Sequence, residues 1–233
     1  MSDALPTKDD PILFLDVESL PAEKNDPLWL KLSAGLAPEV GEIPEAFEAR
    51  RELIRRNSAL HGPLGRTWMI GLANRKAEPS ILQSDGSHEG EKKLLQEFHE
   101  LVGTLGDPWW VGYNVAGYDL PFLQVRALHH GLPLLARKLG RKTLKPWEQR
   151  VLDIQQLFPR TGSDKHGFKN QFLPGIAKLD TVCAVLGVER QTGVMGPGVY
   201  EAYLSGNAAG VAEHLRYDVE QVREVFKLLW PIL

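Results

Sequence analysis

Pro11-Ile-Leu-Phe-Leu-Asp-Val-Glu18 sets four apolar residues after a turn-forming proline, then two acids separated by one valine. A short apolar run of this kind reads as a buried β-strand. Side chains alternate across a strand, so Asp16 and Glu18 point to the same side. Two carboxylates so placed repel, and burying them is costly unless a cation lies between them. Read alone, the plainer meaning is a solvated strand end.

Outward from this strand, Thr67–Asn74, Ser80–Gln83, Trp109–Tyr113 and Val151–Phe158 read as further strands. Pro44–Ser58 reads as a charged helix with proline in its first turn. Glu91–Val102 has apolar positions at helical spacing. Leu120–His130 is a helix ended by Gly131. Leu179–Leu186, Val199–Leu204 and Ala208–Trp230 complete the helices. Residues 20–66, punctuated by Pro21, Pro27, Pro38 and Pro44, read as an insertion after the first strand. Strands in a row, then strands alternating with helices, predict an α/β fold: a mixed sheet flanked by helices. No linker divides the chain, so residues 1–233 are expected to form a single domain.

Composition agrees with a globular protein. The chain has 233 residues, 43% hydrophobic and 24% charged, enough to bury roughly 70% of its unfolded surface. A disordered tail, a collagen and a coiled coil are excluded. Cys183 is the only cysteine, so neither a disulfide framework nor a Cys-rich zinc site is possible, and a reducing compartment is expected. The acidic start is unlike a secretory signal. No apolar run approaches the ~20 residues of a membrane span. A soluble, cytoplasmic protein without a membrane partner is expected.

Two more segments bear acids. Tyr113-Asn114-Val-Ala-Gly-Tyr118-Asp119 links a strand to a helix, with Asp119 where an N-cap belongs. His214 and Asp218 lie four apart on the last helix and share a face. Each has a bland reading alone, as a cap or a surface pair. Together, Asp16, Glu18, Asp119 and Asp218 suit two divalent cations with oxygen ligands, Mg²⁺ or Mn²⁺. Two such ions ~4 Å apart can activate water and clamp a phosphodiester. His214 is the natural general base, because its ordinary pKa lies near working pH.

On these residues the chain resembles the DEDD 3′–5′ exonucleases of the RNase H-like fold. It is most similar to the predicted exonucleases related to the proofreading domain of family B DNA polymerases. Phe14-Leu-Asp-Val-Glu-Ser19 matches the first motif, Asn114 to Asp119 the second, and Glu213-His-Leu-Arg-Tyr-Asp218 the third. The resemblance spans nearly the whole chain except 20–66. It implies that Asp16, Glu18, Asp119 and Asp218 bind metal, and that Asn114 of the second motif contacts substrate. One departure stands out. The polymerase-related branch usually carries tyrosine four residues before the last aspartate, and another branch carries histidine five before it. Here the fourth position is His214 and the fifth is Glu213. His214 is therefore assigned as the water-orienting base.

The net charge of −3 argues against a basic coat for nucleic acid, but it is uneven. Residues 126–178 hold 11 Lys/Arg against three acids, a local +8; the remainder holds 16 against 27, or −11. A basic segment between the second and third motifs suits incoming phosphates. Arg141, Lys142, Lys145 and Lys169 are expected to contact them, and Gly162–Lys169 to close over a strand end. Tyr118, Phe122 and Phe168 are candidates for base stacking, although Phe122, three after Asp119 on a helix, is favoured for the core. The resemblance adds Leu20 as a wedge near the terminal base. Trp109, Trp110 and Cys183 are expected to be structural, Asp180 a helix cap and Asp153 a strand end. Arg50, Arg51, Arg55 and Arg56 offer a surface for substrate or a partner. The remaining histidines, His61, His88, His99, His129, His130 and His166, show no metal-ligand spacing and are expected at the surface.

The expected activity is metal-dependent 3′–5′ hydrolysis of single-stranded nucleic acid, DNA ahead of RNA, releasing mononucleotides. The alternatives are a catalytically weak or inactive module that binds nucleic-acid ends, or the same chemistry on RNA. Proofreading would require a polymerase or repair partner.

Overall fold

The structure, a computed structural model, describes residues 5–141, 144–145, 148–158, 178–189 and 198–232. Among these described residues, five strands form one mixed sheet: β1 (Ile12–Leu20), β2 (Arg66–Ala73), β3 (Ser80–Gln83), β4 (Trp109–Gly112) and β5 (Val151–Asp153), in the order β3-β2-β1-β4-β5. β2 runs antiparallel to β1 and to β3, while β4 is parallel to β1 and β5 parallel to β4. The helices are α1 (Pro27–Ser33), α2 (Pro44–Asn57), α3 (His88–Thr104), α4 (Asp119–His129), α5 (Pro133–Leu139), α6 (Leu179–Leu186), α7 (Val199–Leu204) and α8 (Ala208–Leu229).

The period-two pattern of β1 sorts the core into two layers. Leu13, Leu15 and Val17 pack with α3, α4 and α5, including Leu95, Phe98 and Leu123. Ile12 and Phe14 face the other way, onto Val182 and Cys183 of α6 and Val222 and Phe226 of α8. Asp16 and Glu18 continue this second series, so the alternation aims both acids at the α8 side. Polar caps start the two longest helices. Ser87 Oγ accepts the Gly90 N–H at 3.0 Å, and Asn207 Oδ1 accepts the Gly210 N–H at 3.1 Å.

Two local features bring α8 to the acids. Gly71 lies opposite Asp16 in the β1–β2 ladder, and a Cβ there would stand 2.8 Å from both Leu215 and Val219. Only a residue without a side chain lets α8 lie so near the sheet. The ladder also shifts between Glu18 and Ser19, where β2 accommodates one extra residue, Trp68. Such a bulge bends the strand end beside the acids.

The fold departs from the sequence reading in four places. Only Val151–Asp153 pairs as a strand; Ile154–Leu157 turns into a 3₁₀ helix because the Asp153 carboxylate accepts the Gln155 N–H at 3.1 Å. Two short helices, α1 and α5, were not expected, although Asp26 before Pro27 is a start signal and does cap α1. Asp119 is the first helical residue of α4 and makes no capping bond. Finally, all four arginines of α2 are paired with acids, although only Arg55 among them is buried and Arg56 is exposed. Buried Arg55 donates to the Ala22 carbonyl and lies 2.9 Å from the Tyr200 hydroxyl; Arg50 pairs with Glu42, Arg51 with Glu48, and Arg56 with Glu52 and Glu201. Among the described residues, no helix is long and apolar enough to cross a membrane.

Candidate active site

Three elements deliver four carboxylates to one end of the sheet. β1 supplies Asp16 and Glu18, the start of α4 supplies Asp119, and α8 supplies Asp218. On α8, His214 Nε2 lies 3.2 Å from Asp218 Oδ2. Ligand atoms of Glu18, His214 and Asp218 all fall within 4.8 Å of one another. Asp119 is 2% exposed, and its Oδ1 atom has no hydrogen-bond partner.

The acids resist ionisation together. Burial, then the charge of Asp218, pushes Asp16 up to about 7. Burial, then Asp16 and Asp218, holds Glu18 well above the usual carboxylate range. Burial and the charge of Asp16 do the same to Asp119. Asp218 is raised to about 7 by burial and by Asp180. Carboxylates crowded in a low-dielectric setting stay ionised only when a cation neutralises them. An orphaned, buried carboxylate oxygen on Asp119 and the close Glu18–His214–Asp218 group fit a divalent cation held by these residues.

Asp153 shapes the second acidic segment from below. Its Oδ1 accepts the Asn114 N–H at 2.8 Å, and its Oδ2 accepts the Ala116 N–H at 3.3 Å. Asn114 takes the left-handed conformation, φ 62°, which asparagine tolerates. Its carbonyl receives the Gly117 and Tyr118 N–H groups at 2.9 and 2.8 Å, turning the chain into α4 with Asp119 at its head. At the rim, the Tyr118 hydroxyl lies 2.8 Å from Ser19 Oγ, which donates to the Ala59 carbonyl at 2.8 Å. The insertion thus reaches the edge of the site through Ala59.

Several expected contacts lie elsewhere. Leu20 is fully buried with Val199 and Ala202 of α7, so it does not face a terminal base. Phe122 is core, packed beside Tyr118 with ring centroids 5.4 Å apart. Arg141 is buried and bonds Asp107. Arg126 and Arg150 are likewise engaged, with Glu91 and Asp10, so the local +8 overstates the charge free for phosphates. Lys145 is exposed. Lys142, Phe168, Lys169 and the 162–169 segment lie outside the described residues. Glu213 is exposed, and Tyr217 lines a groove with Glu78 and Arg216; His214 is the imidazole that turns to the acids.

Two residues exceed their expected roles. Asp153 is the support of the Asn114–Asp119 turn, and its signal was a lone acid ending an apolar strand. Asp180 acts electrostatically on both Asp218 and His214; it lies in the first turn of α6 and is not its cap, a position held by Lys178. The histidine reading also needs correction: His130 is buried, and it clusters with His88 and His129.

A family model described as a predicted 3′–5′ exonuclease related to the exonuclease domain of PolB matches residues 63–226. No curated protein matches the chain. Among solved structures, the family B DNA polymerase of the hyperthermophilic archaeon Pyrobaculum calidifontis is similar in fold, with a TM-score of 0.51 and 19% identity. The match covers 99% of this chain and 25% of the polymerase chain.

Proposed function

The chain belongs to the family of predicted 3′–5′ exonucleases related to the exonuclease domain of PolB, and from this premise we propose that it hydrolyses the 3′-terminal phosphodiester of single-stranded DNA. The observation that carries this reading is the convergence of Asp16, Glu18, Asp119 and Asp218 from three elements, with the Asp119 Oδ1 atom buried and unpartnered.

These four carboxylates would hold two divalent cations, Mg²⁺ or Mn²⁺. Cations bound there supply Lewis-acid activation of water and neutralise charge on the phosphodiester. The chain's own contribution is placement and proton handling. Burial holds His214 below its ordinary pKa, against the pull of Asp16 and Asp180, which favours the neutral imidazole. With Nε2 lying 3.2 Å from Asp218 Oδ2, the imidazole is placed beside the acids to orient water and accept its proton. Asp153 fixes the turn that presents Asp119, and the Tyr118–Ser19–Ala59 bonds stiffen the rim where a strand end enters.

The test uses single-stranded oligonucleotides labelled at either end, with Mg²⁺ or Mn²⁺. A 3′ label is expected to leave first as mononucleotide, and Asp16→Asn with Asp218→Asn to abolish release. Release unchanged in that double variant defeats the assignment. Metal-dependent binding without release identifies an end-binding module instead, and faster release from RNA reassigns the substrate.

A further inference from the structure

At the far end of α4 from Asp119, three histidines meet. His88 begins α3, His129 ends α4 and His130 follows it. Their ring centroids lie 4.4 to 5.3 Å apart, and one nitrogen of each lies within 4.8 Å of the other two. Across the 11 residues of α4, at 1.5 Å per residue, the cluster stands roughly 16 Å along the helix from Asp119.

His130 gives the cluster its polarity. Its side chain is fully buried, and Nε2 lies 2.8 Å from Glu91 Oε2. Glu91 can only accept, because its carboxylate also takes the Arg126 guanidinium and the Thr67 N–H and is held down at about 2. His130 Nε2 is therefore the protonated nitrogen. Its Nδ1, on the other side of the ring, is buried with no partner. A buried, unpaired imidazole nitrogen is costly unless something occupies it. A carboxylate behind an imidazole is also the usual way to fix its tautomer and raise the basicity of a metal-binding nitrogen.

We propose that His88, His129 and His130 form a second metal site, separate from the carboxylates and suited to an imidazole-seeking transition ion such as Zn²⁺. Three imidazole nitrogens with no carboxylate among them disfavour Mg²⁺, which takes oxygen ligands. The charge of Arg126 is balanced by Glu91. An ion there would tie the start of α3 to the end of α4. The site takes nothing from the nuclease reading and stands or falls apart from it.

The test is zinc stoichiometry on the full chain without a polyhistidine tag, dialysed against Zn²⁺, with Co²⁺ substitution followed by visible absorption. The unmodified protein and the Asp16→Asn, Asp218→Asn variant should both retain about one equivalent and show d–d bands with Co²⁺. Zinc at a hundredfold over its Kd should raise Tm by about 5–10 °C. His88 and His129 are exposed, so His88→Ala with His129→Ala should fold, lose the equivalent and the Tm shift, and keep Mg²⁺-dependent activity; His88→Ala alone is the second variant should the pair fail to fold. Zinc retained by the histidine variants, zinc lost only with the carboxylates, or no zinc in the unmodified protein overturns the proposal.

Discussion

The Nε2 atom of His214 lies 3.2 Å from Oδ2 of Asp218, one turn away on the same helix, and ligand atoms of both lie within 4.8 Å of one on Glu18 of the first strand. The pair couples a proton acceptor to a carboxylate that the fold keeps partly desolvated. Replacing His214 by alanine is expected to lower kcat by roughly 10²–10⁴, the usual contribution of a positioned base. Mn²⁺ binding, measured by titration calorimetry, should survive in this variant. Loss of both together would mark His214 as a ligand instead.

Asp119 carries a buried, unpartnered oxygen in a field of like charge. Asp119→Asn removes that charge and keeps the shape. In EDTA the variant is expected to be more stable by about 1 kcal/mol, read as a Tm gain of about 2–4 °C. Its nuclease rate with Mg²⁺ should fall by at least about 10²-fold. Scanning calorimetry beside the oligonucleotide assay separates the two effects. A destabilised variant would refute the claim that the acids strain one another.

Gly71 is the spacer between sheet and α8. Gly71→Ala places a Cβ against Leu215 and Val219, and such overpacking costs about 1–3 kcal/mol. Because α8 carries His214 and Asp218, kcat should fall along with the urea midpoint, although the substituted residue touches no substrate.

Glu91 governs acid stability. It is fully buried, bonded to Arg126, His130 and the Thr67 N–H, and lowered from 4.5 to about 2. A depressed folded-state pKa contributes stability that is present above the unfolded value, near 4.5, and lost as pH falls toward 2. The loss amounts to about 3 kcal/mol. Urea unfolding between pH 6 and 2 should show this limb. Glu91→Gln should flatten it and be destabilised by about 3–5 kcal/mol near pH 6, the gap narrowing toward pH 2, because Arg126 is then left buried without its counter-charge.

The sequence by itself determined what short-range periodicity encodes. Period two along Ile12–Glu18 placed Asp16 and Glu18 on one face, the i,i+4 spacing paired His214 with Asp218, and the stripes of α6, α7 and α8 marked their own limits. These follow from backbone geometry that each residue shares with its immediate neighbours. Only the tertiary structure decided which side chains meet across long separations. Leu20 is sealed by α7, Arg126 is claimed by Glu91, Arg141 by Asp107, Asp153 holds the Asn114 turn, and three histidines converge from α3 and α4. The physical reason is that a charge, an amide or an imidazole carries no local mark of its partner; packing of one element on another chooses it, and the cost of leaving it buried alone enforces the choice.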